Sequence, residues 1–68
     1  MIWNDSAMLE KKVMDLFNTE DGLSDKEVSE KATLSFQIAG TVCKQLEYKR
    51  KLERVKGQGQ PIRNYLKK

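Results

Sequence analysis

The chain has 68 residues, of which 38% are hydrophobic and 34% charged, with a net charge of +3. That length holds one small domain, which buries only about 60% of its unfolded surface and leaves little room for a catalytic pocket with supporting layers. The absence of histidine and a lone Cys43 argue against a zinc site and a disulfide framework, and the lack of an apolar run near the roughly 18 residues of a membrane span, or of an opening signal peptide, leads us to expect a cytoplasmic protein.

The charge is unevenly distributed. Residues 1–43 carry four basic side chains against eight acidic ones, a net of −4, whereas residues 44–68 carry nine against two, a net of +7. A basic C-terminal end reads either as a footprint for a polyanion or as a solvated tail.

In chain order, Met1, Ile2, Trp3 and Asn4 are apolar enough to pack; Trp3 suits a core cap, a partner contact or a short edge strand equally. A first helix is expected over about 6–18, capped by Asp5 or Ser6. Leu9, Val13, Leu16 and Phe17 share one face, and Glu10, Lys11, Lys12 and Asp15 take the other sides. The run Asn18-Thr19-Glu20-Asp21-Gly22 ends it.

The strongest local signal follows. Ser24 and Glu27 have the spacing of a capping box, and Leu23 with Val28 can form the accompanying hydrophobic staple. The second helix is expected over about 24–32, with Val28 and Ala32 inward and Lys26, Ser29 and Glu30 outward. A very short strand near Leu23 is a further possibility. Thr33-Leu34-Ser35 makes a turn, with Ser35 as N-cap of a third helix over about 36–48. There Ala39, Val42, Cys43 and Leu46 form the apolar stripe, and Cys43 reads as a small buried hydrophobe rather than a reactive thiol. The opposite face offers Phe36, Gln37, Gly40, Thr41, Lys44 and Gln45. Glycine mid-helix costs about 1 kcal/mol relative to alanine, so Gly40 calls for a packing or access reason.

Beyond Tyr48 the period changes to two. Lys51–Lys56 and Ile62–Lys67 read as the strands of a hairpin over about 51–67, turned at Gly57-Gln58-Gly59-Gln60-Pro61 and surrounded by Arg54, Lys56 and Arg63. The fold class is therefore mainly α with a small β-hairpin (α+β), in a single domain spanning residues 1–68.

Three helices and a basic hairpin, with a capping box opening the second helix, resemble the winged helix-turn-helix from about Leu9 to Leu66. The segment from Leu23 to Val55 is similar to MarR-like transcriptional regulators in the rhythm of Leu23, Ser24, Val28, Ala32, Leu34, Ser35, Ala39, Val42, Leu46, Glu47, Leu52 and Arg54. Arg50 stands where that family usually has glycine, so a different turn geometry is expected there. The resemblance implies double-stranded DNA as partner. The third helix would enter the major groove, with Ser35, Phe36, Gln37, Gly40, Thr41, Lys44 and Gln45 at or near the bases. Lys49, Arg50, Arg54, Lys56, Gln58, Gln60 and Arg63 would lie on the backbone as part of the third-helix end and wing.

The alternative is a protein–protein interaction module of the same fold, anchored through Trp3, Phe36 and Tyr48 on a protein partner or a second copy of the chain; an RNA-binding variant comes third. No enzyme and no cofactor or metal are expected. The chain lacks histidine, a recognisable carboxylate pair and a phosphate-cradling loop, and Gly57-Gln58-Gly59 lies in a hairpin tip rather than a βαβ unit.

Overall fold

A computed structural model describes residues 6–67. The cap expected at Asp5 or Ser6 and the placement of Trp3 lie outside the described residues and side chains. Helix α1 spans Ser6–Leu16, strand β1 Leu23–Ser24, helix α2 Asp25–Ala32, helix α3 Phe36–Tyr48, strand β2 Leu52–Lys56 and strand β3 Ile62–Leu66. The protein is thus a small α+β fold of three helices and a three-stranded antiparallel sheet in the order β1-β3-β2.

α1 ends two residues short of expectation because its last turn tightens. Phe17 and Asn18 donate to Met14 and Asp15 at 3.0 and 3.3 Å, the i to i−3 pattern of a helix end. Phe17 still reaches the core. Val13, Phe17, Leu23, Val28, Ala39, Val42, Cys43, Leu46 and Leu52 form one buried cluster, with Leu9 and Leu16 half-buried against it. Each large aliphatic side chain so enclosed contributes roughly 1.5–3 kcal/mol.

The capping box is complete. The Glu27 N–H donates to Ser24 Oγ at 3.2 Å and the Ser24 N–H to Glu27 Oε1 at 3.0 Å. The Ser24 N–H, aided by Arg63 and Lys31, holds the Glu27 carboxyl below its ordinary range against an opposing desolvation. Ser35 caps α3 in the same way, accepting from the Ile38 N–H at 3.2 Å.

Two expectations about helix faces are corrected. Ser29 is buried, its hydroxyl donating to the Lys26 carbonyl at 2.7 Å. Glu10 is also buried; its two carboxylate oxygens each accept from Lys49 Nζ at 3.0 Å, and this pairing is what lets a carboxylate sit against the core.

Both connections around α3 use left-handed residues that are not glycine. Thr33 has φ +57° and Arg50 φ +63°. At each, the N–H one residue beyond reaches back to close the helix, Leu34 to Ser29 and Lys51 to Leu46, both at 2.8 Å. This is the Schellman arrangement, in which glycine is the usual occupant. Arg50 therefore does not change the turn geometry; it adopts glycine's conformation at a steric cost.

The hairpin register is Leu52↔Leu66, Arg54↔Asn64 and Lys56↔Ile62, with Glu53↔Tyr65 and Val55↔Arg63 between them. Because side chains alternate, the first three pairs face the helices and the other two face outward. β1 adds to the far side of β3, pairing Leu23 with Asn64. Gly22, at φ +66°, passes so close beneath Tyr65 that an added Cβ would stand 3.0 Å from Cε2 of its ring.

Candidate nucleic-acid interface

One turn of the α3 helix follows another with a fixed offset, so residues at i, i+4, i+7 and i+11 form a ridge. On α3 these are Gln37, Thr41, Lys44 and Tyr48, opposite the buried stripe of Ala39, Val42, Cys43 and Leu46. All four ridge residues are exposed, and none of their side chains has a hydrogen bond or ion pair with another of the described residues. Tyr48 is 89% exposed. Its place on the ridge follows from its spacing of four from Lys44; the sequence reading gave it only to a protein partner.

The other residues expected on this face divide between the two flanks of the ridge. Gln45 is exposed and leans toward α1, where it lines a groove of about 460 Å³ with Glu10, Thr41, Lys44, Tyr48 and Lys49. Phe36 and Gly40 lie on the hairpin side. Phe36 is 62% exposed and borders a groove of about 440 Å³ with Ser24, Asp25, Lys26, Pro61 and Ile62. Lys26, expected outward on the second helix, has no ion-pair partner among the described residues and joins the candidate cations. At Gly40 an added Cβ would meet only Asp25 Oδ2, at 3.6 Å, an ordinary contact. Tight packing therefore does not explain the glycine. Ser35 is exposed at the helix start, its hydroxyl occupied in the cap.

The basic residues expected on the backbone and hairpin separate into three environments. Arg54 turns inward. Its side chain is only 6% exposed, with Nη1 and Nη2 donating to Asp25 Oδ1 and Oδ2 at 2.9 and 3.0 Å. Nη1 also donates to Asn64 Oδ1 at 3.0 Å. Asn64, fully buried, completes the network by donating from Nδ2 to Asp25 Oδ1 at 2.9 Å and to the Leu23 carbonyl at 2.8 Å. Arg54 is thus a fastener between β2 and the start of α2, in place of the surface cation expected from the sequence. The reason is parity: with Leu52 inward, residue 54 must be inward too.

Burial opposes ionisation of Asp25, but the hydrogen bonds from Arg54 and Asn64 outweigh it and hold the carboxyl below its ordinary range. Burial and the Asp25 charge push the neighbouring Cys43 thiol up to about 12, which makes it inert at neutral pH. No buried side-chain nitrogen or oxygen among the described residues lacks a partner.

Arg63 occupies the second environment, the outer face of the sheet. It donates to the Gly22 carbonyl at 2.8 Å and stands 3.6 Å from Glu27 Oε1, pointing away from α3. Lys49 is likewise tied, to Glu10, although half its side chain stays exposed. The third environment is open. Lys44, Arg50 and Lys56 are exposed with no ion-pair partner among the described residues, and Lys56 shares the helix-facing side of the hairpin with Ile62. Gln58 and Gln60 are exposed at the tip. Arg50 borders a further recess with Glu47, Leu52, Glu53 and Lys67.

Arg54, Arg63 and Lys49 thus pair with Asp25, Glu27 and Glu10 of the acidic half. Part of the charge asymmetry seen in the sequence holds the fold together, and the remainder is available to a partner. Among the described residues no helix is long and apolar enough to cross a membrane, and no group of three histidine, cysteine or acidic side chains is placed to hold a metal ion. Comparison with protein-family models, curated proteins and solved structures finds no match.

Proposed function

We propose that this chain is a winged helix-turn-helix DNA-binding domain, a small transcriptional regulator of the MarR-like kind. In this reading α3 enters the major groove and the β2–β3 hairpin is the wing. The observation that carries it is the ridge Gln37-Thr41-Lys44-Tyr48, exposed and without partners among the described residues, where five other cations are paired. Lys26 in the groove beside Phe36 and Lys56, paired with Ile62 of that groove, would supply the phosphate contacts that position a reader without specifying sequence. The order of the helices and the placement of the hairpin support the same reading. A single domain of this size spans few base pairs, so high specificity calls for two copies on two half-sites.

Titration against mixed-sequence duplex DNA at two salt concentrations tests the proposal. Binding should weaken steeply with added salt as counterions are released, and Lys44→Glu with Lys56→Glu should weaken it for all sequences alike. No binding at low salt, down to the roughly 10⁻⁴ M of nonspecific contact, refutes it. A second reading, a protein-interaction module, is favoured by one feature: exposed Phe36 beside Pro61 and Ile62 in a largely apolar groove. Under that reading Phe36→Ala removes partner binding while the salt-sensitive DNA titration stays flat.

A further inference from the structure

Guanine is read best in the major groove by the bidentate fork of arginine, adenine by the amide of glutamine or asparagine. The chain has three arginines, Arg50, Arg54 and Arg63, and none lies on the α3 ridge. Arg54 is enclosed by Asp25 and Asn64, Arg63 points to the opposite face of the sheet beside Glu27, and Arg50 sits beyond the C-terminal end of α3. The ridge instead begins with Gln37 in the first turn, the end that contacts base edges when a helix enters a groove in this manner. Thr41 follows one turn later, about 6 Å along the axis, or roughly two base-pair steps. Its methyl group matches the thymine methyl, and its hydroxyl accepts either base. Lys44 is the one cation of the ridge and acts as a single point of charge.

The hairpin tip carries an independent signal. Residues 57–61 contain no charge. The turn closes with the Gln60 N–H donating to the Gly57 carbonyl at 3.2 Å, and Gly59 has φ +70° with nothing within 4 Å of an added Cβ. The tip is therefore thin, and Gln58 on it is exposed, its amide without a partner among the described residues. In the minor groove an A·T pair shows only acceptors, whereas a G·C pair adds the guanine amino donor. An amide N–H finds partners on the first and an obstruction on the second.

We propose, resting on the DNA-binding reading above, that the preferred partner is duplex DNA rich in A·T pairs, read by Gln37 and Thr41 in the major groove and by Gln58 in the minor groove. The lysines around the site attract any duplex, and these three side chains set the preference.

The test compares labelled duplexes of about 20 base pairs, several helical half-turns being enough for one or two copies, composed of A·T, G·C or inosine·C pairs at one low salt concentration. Inosine·C presents the minor groove of A·T with the major groove of G·C, so it separates the two contributions. The A·T duplex should bind about tenfold tighter than G·C, within the range of one good bidentate contact, with inosine·C between them. Gln37→Ala, at an exposed position, should bring A·T binding down to near that of inosine·C, and Gln58→Ala should bring inosine·C down to G·C. Equal binding of A·T and G·C, a preference for G·C, or a preference unchanged by both substitutions overturns the inference while leaving DNA binding standing. Failure to bind any of the three overturns the DNA-binding reading and this inference together.

Discussion

Replacing Arg54 distinguishes a fastener from a DNA contact. Arg54→Met keeps the length and apolar stem of the side chain but removes the guanidinium that holds both oxygens of Asp25 and one face of Asn64. Breaking a buried ion pair by removing one partner costs about 3–5 kcal/mol, because the other charge stays enclosed. Asp25 retains 17% exposure and its bond from Asn64, so water reaches it in part and the lower end, about 3 kcal/mol, applies. A domain of this size has roughly 3–10 kcal/mol in total and loses about 4–8 °C of Tm per kcal/mol. Thermal unfolding followed by far-ultraviolet circular dichroism should therefore show a fall of roughly 12–24 °C. The double substitution Asp25→Leu with Arg54→Met should recover most of it, since an apolar pair of similar volume no longer leaves a buried charge unmatched. A Tm within about 3 °C of the parent, or a loss of DNA affinity in Arg54→Met without loss of stability, refutes the assignment.

The depressed Asp25 carboxyl gives a pH signature. Its stabilising contribution is complete above the ordinary value of 3.8 and is lost as pH falls below that, through the folded-state value; denaturant titrations across acid pH should show this slope, and Asp25→Asn should flatten it. An unchanged slope in the variant rules out Asp25 as its source. Thr33→Gly and Arg50→Gly should each raise stability, by about 0.5–1 kcal/mol, because relief of a left-handed strain of about 1–2 kcal/mol exceeds the added freedom of the unfolded chain; a lowered Tm in either variant contradicts the strain. Cys43, buried and with its thiol pushed up to about 12, should resist iodoacetamide in the folded protein and react once denatured, whereas native-state labelling at the rate of a free thiol would disprove its enclosure.

Much of this architecture is legible in the residues. The bounds of α3 coincide with the run between Ser35 and the change of period at Lys49, because a serine cap and a single apolar stripe leave little choice. The capping box at Ser24 and Glu27 is similarly local and similarly visible, as is the short strand at Leu23. What the sequence concealed were partnerships between distant segments. Nothing in Lys51–Lys56 names Asp25, 29 residues away, as the acceptor for Arg54. Strand parity places Arg54 inward, whereas a cluster of cations around a hairpin tip reads as surface charge. Glu10 and Ser29 were misplaced for a related reason: polar residues at helix flanks are buried once a specific donor or acceptor from another segment satisfies them, and periodicity does not contain that information. On the candidate site, Gln37, Thr41 and Lys44 of the ridge are legible in the helical spacing, but the place of Tyr48 beside them and the division of Arg54, Arg63 and Lys56 among three environments need the structure.

The position of β3 bears on how the molecule is made. It is the last strand in sequence yet lies between β1 and β2, so β1 has its ladder partner some 40 residues downstream, at Arg63 and Asn64. The helices satisfy their hydrogen bonds within themselves, and β2 with β3 forms a local hairpin, but the sheet closes only when these two remote segments meet. Closing so long a loop carries an entropic cost that local contacts do not repay, and mixed folds of this kind accordingly condense more slowly than pure helical bundles. The sheet is therefore completed only when β3 docks beside Leu23, where the Asn64 amide meets the Leu23 carbonyl and joins the hairpin to the helices.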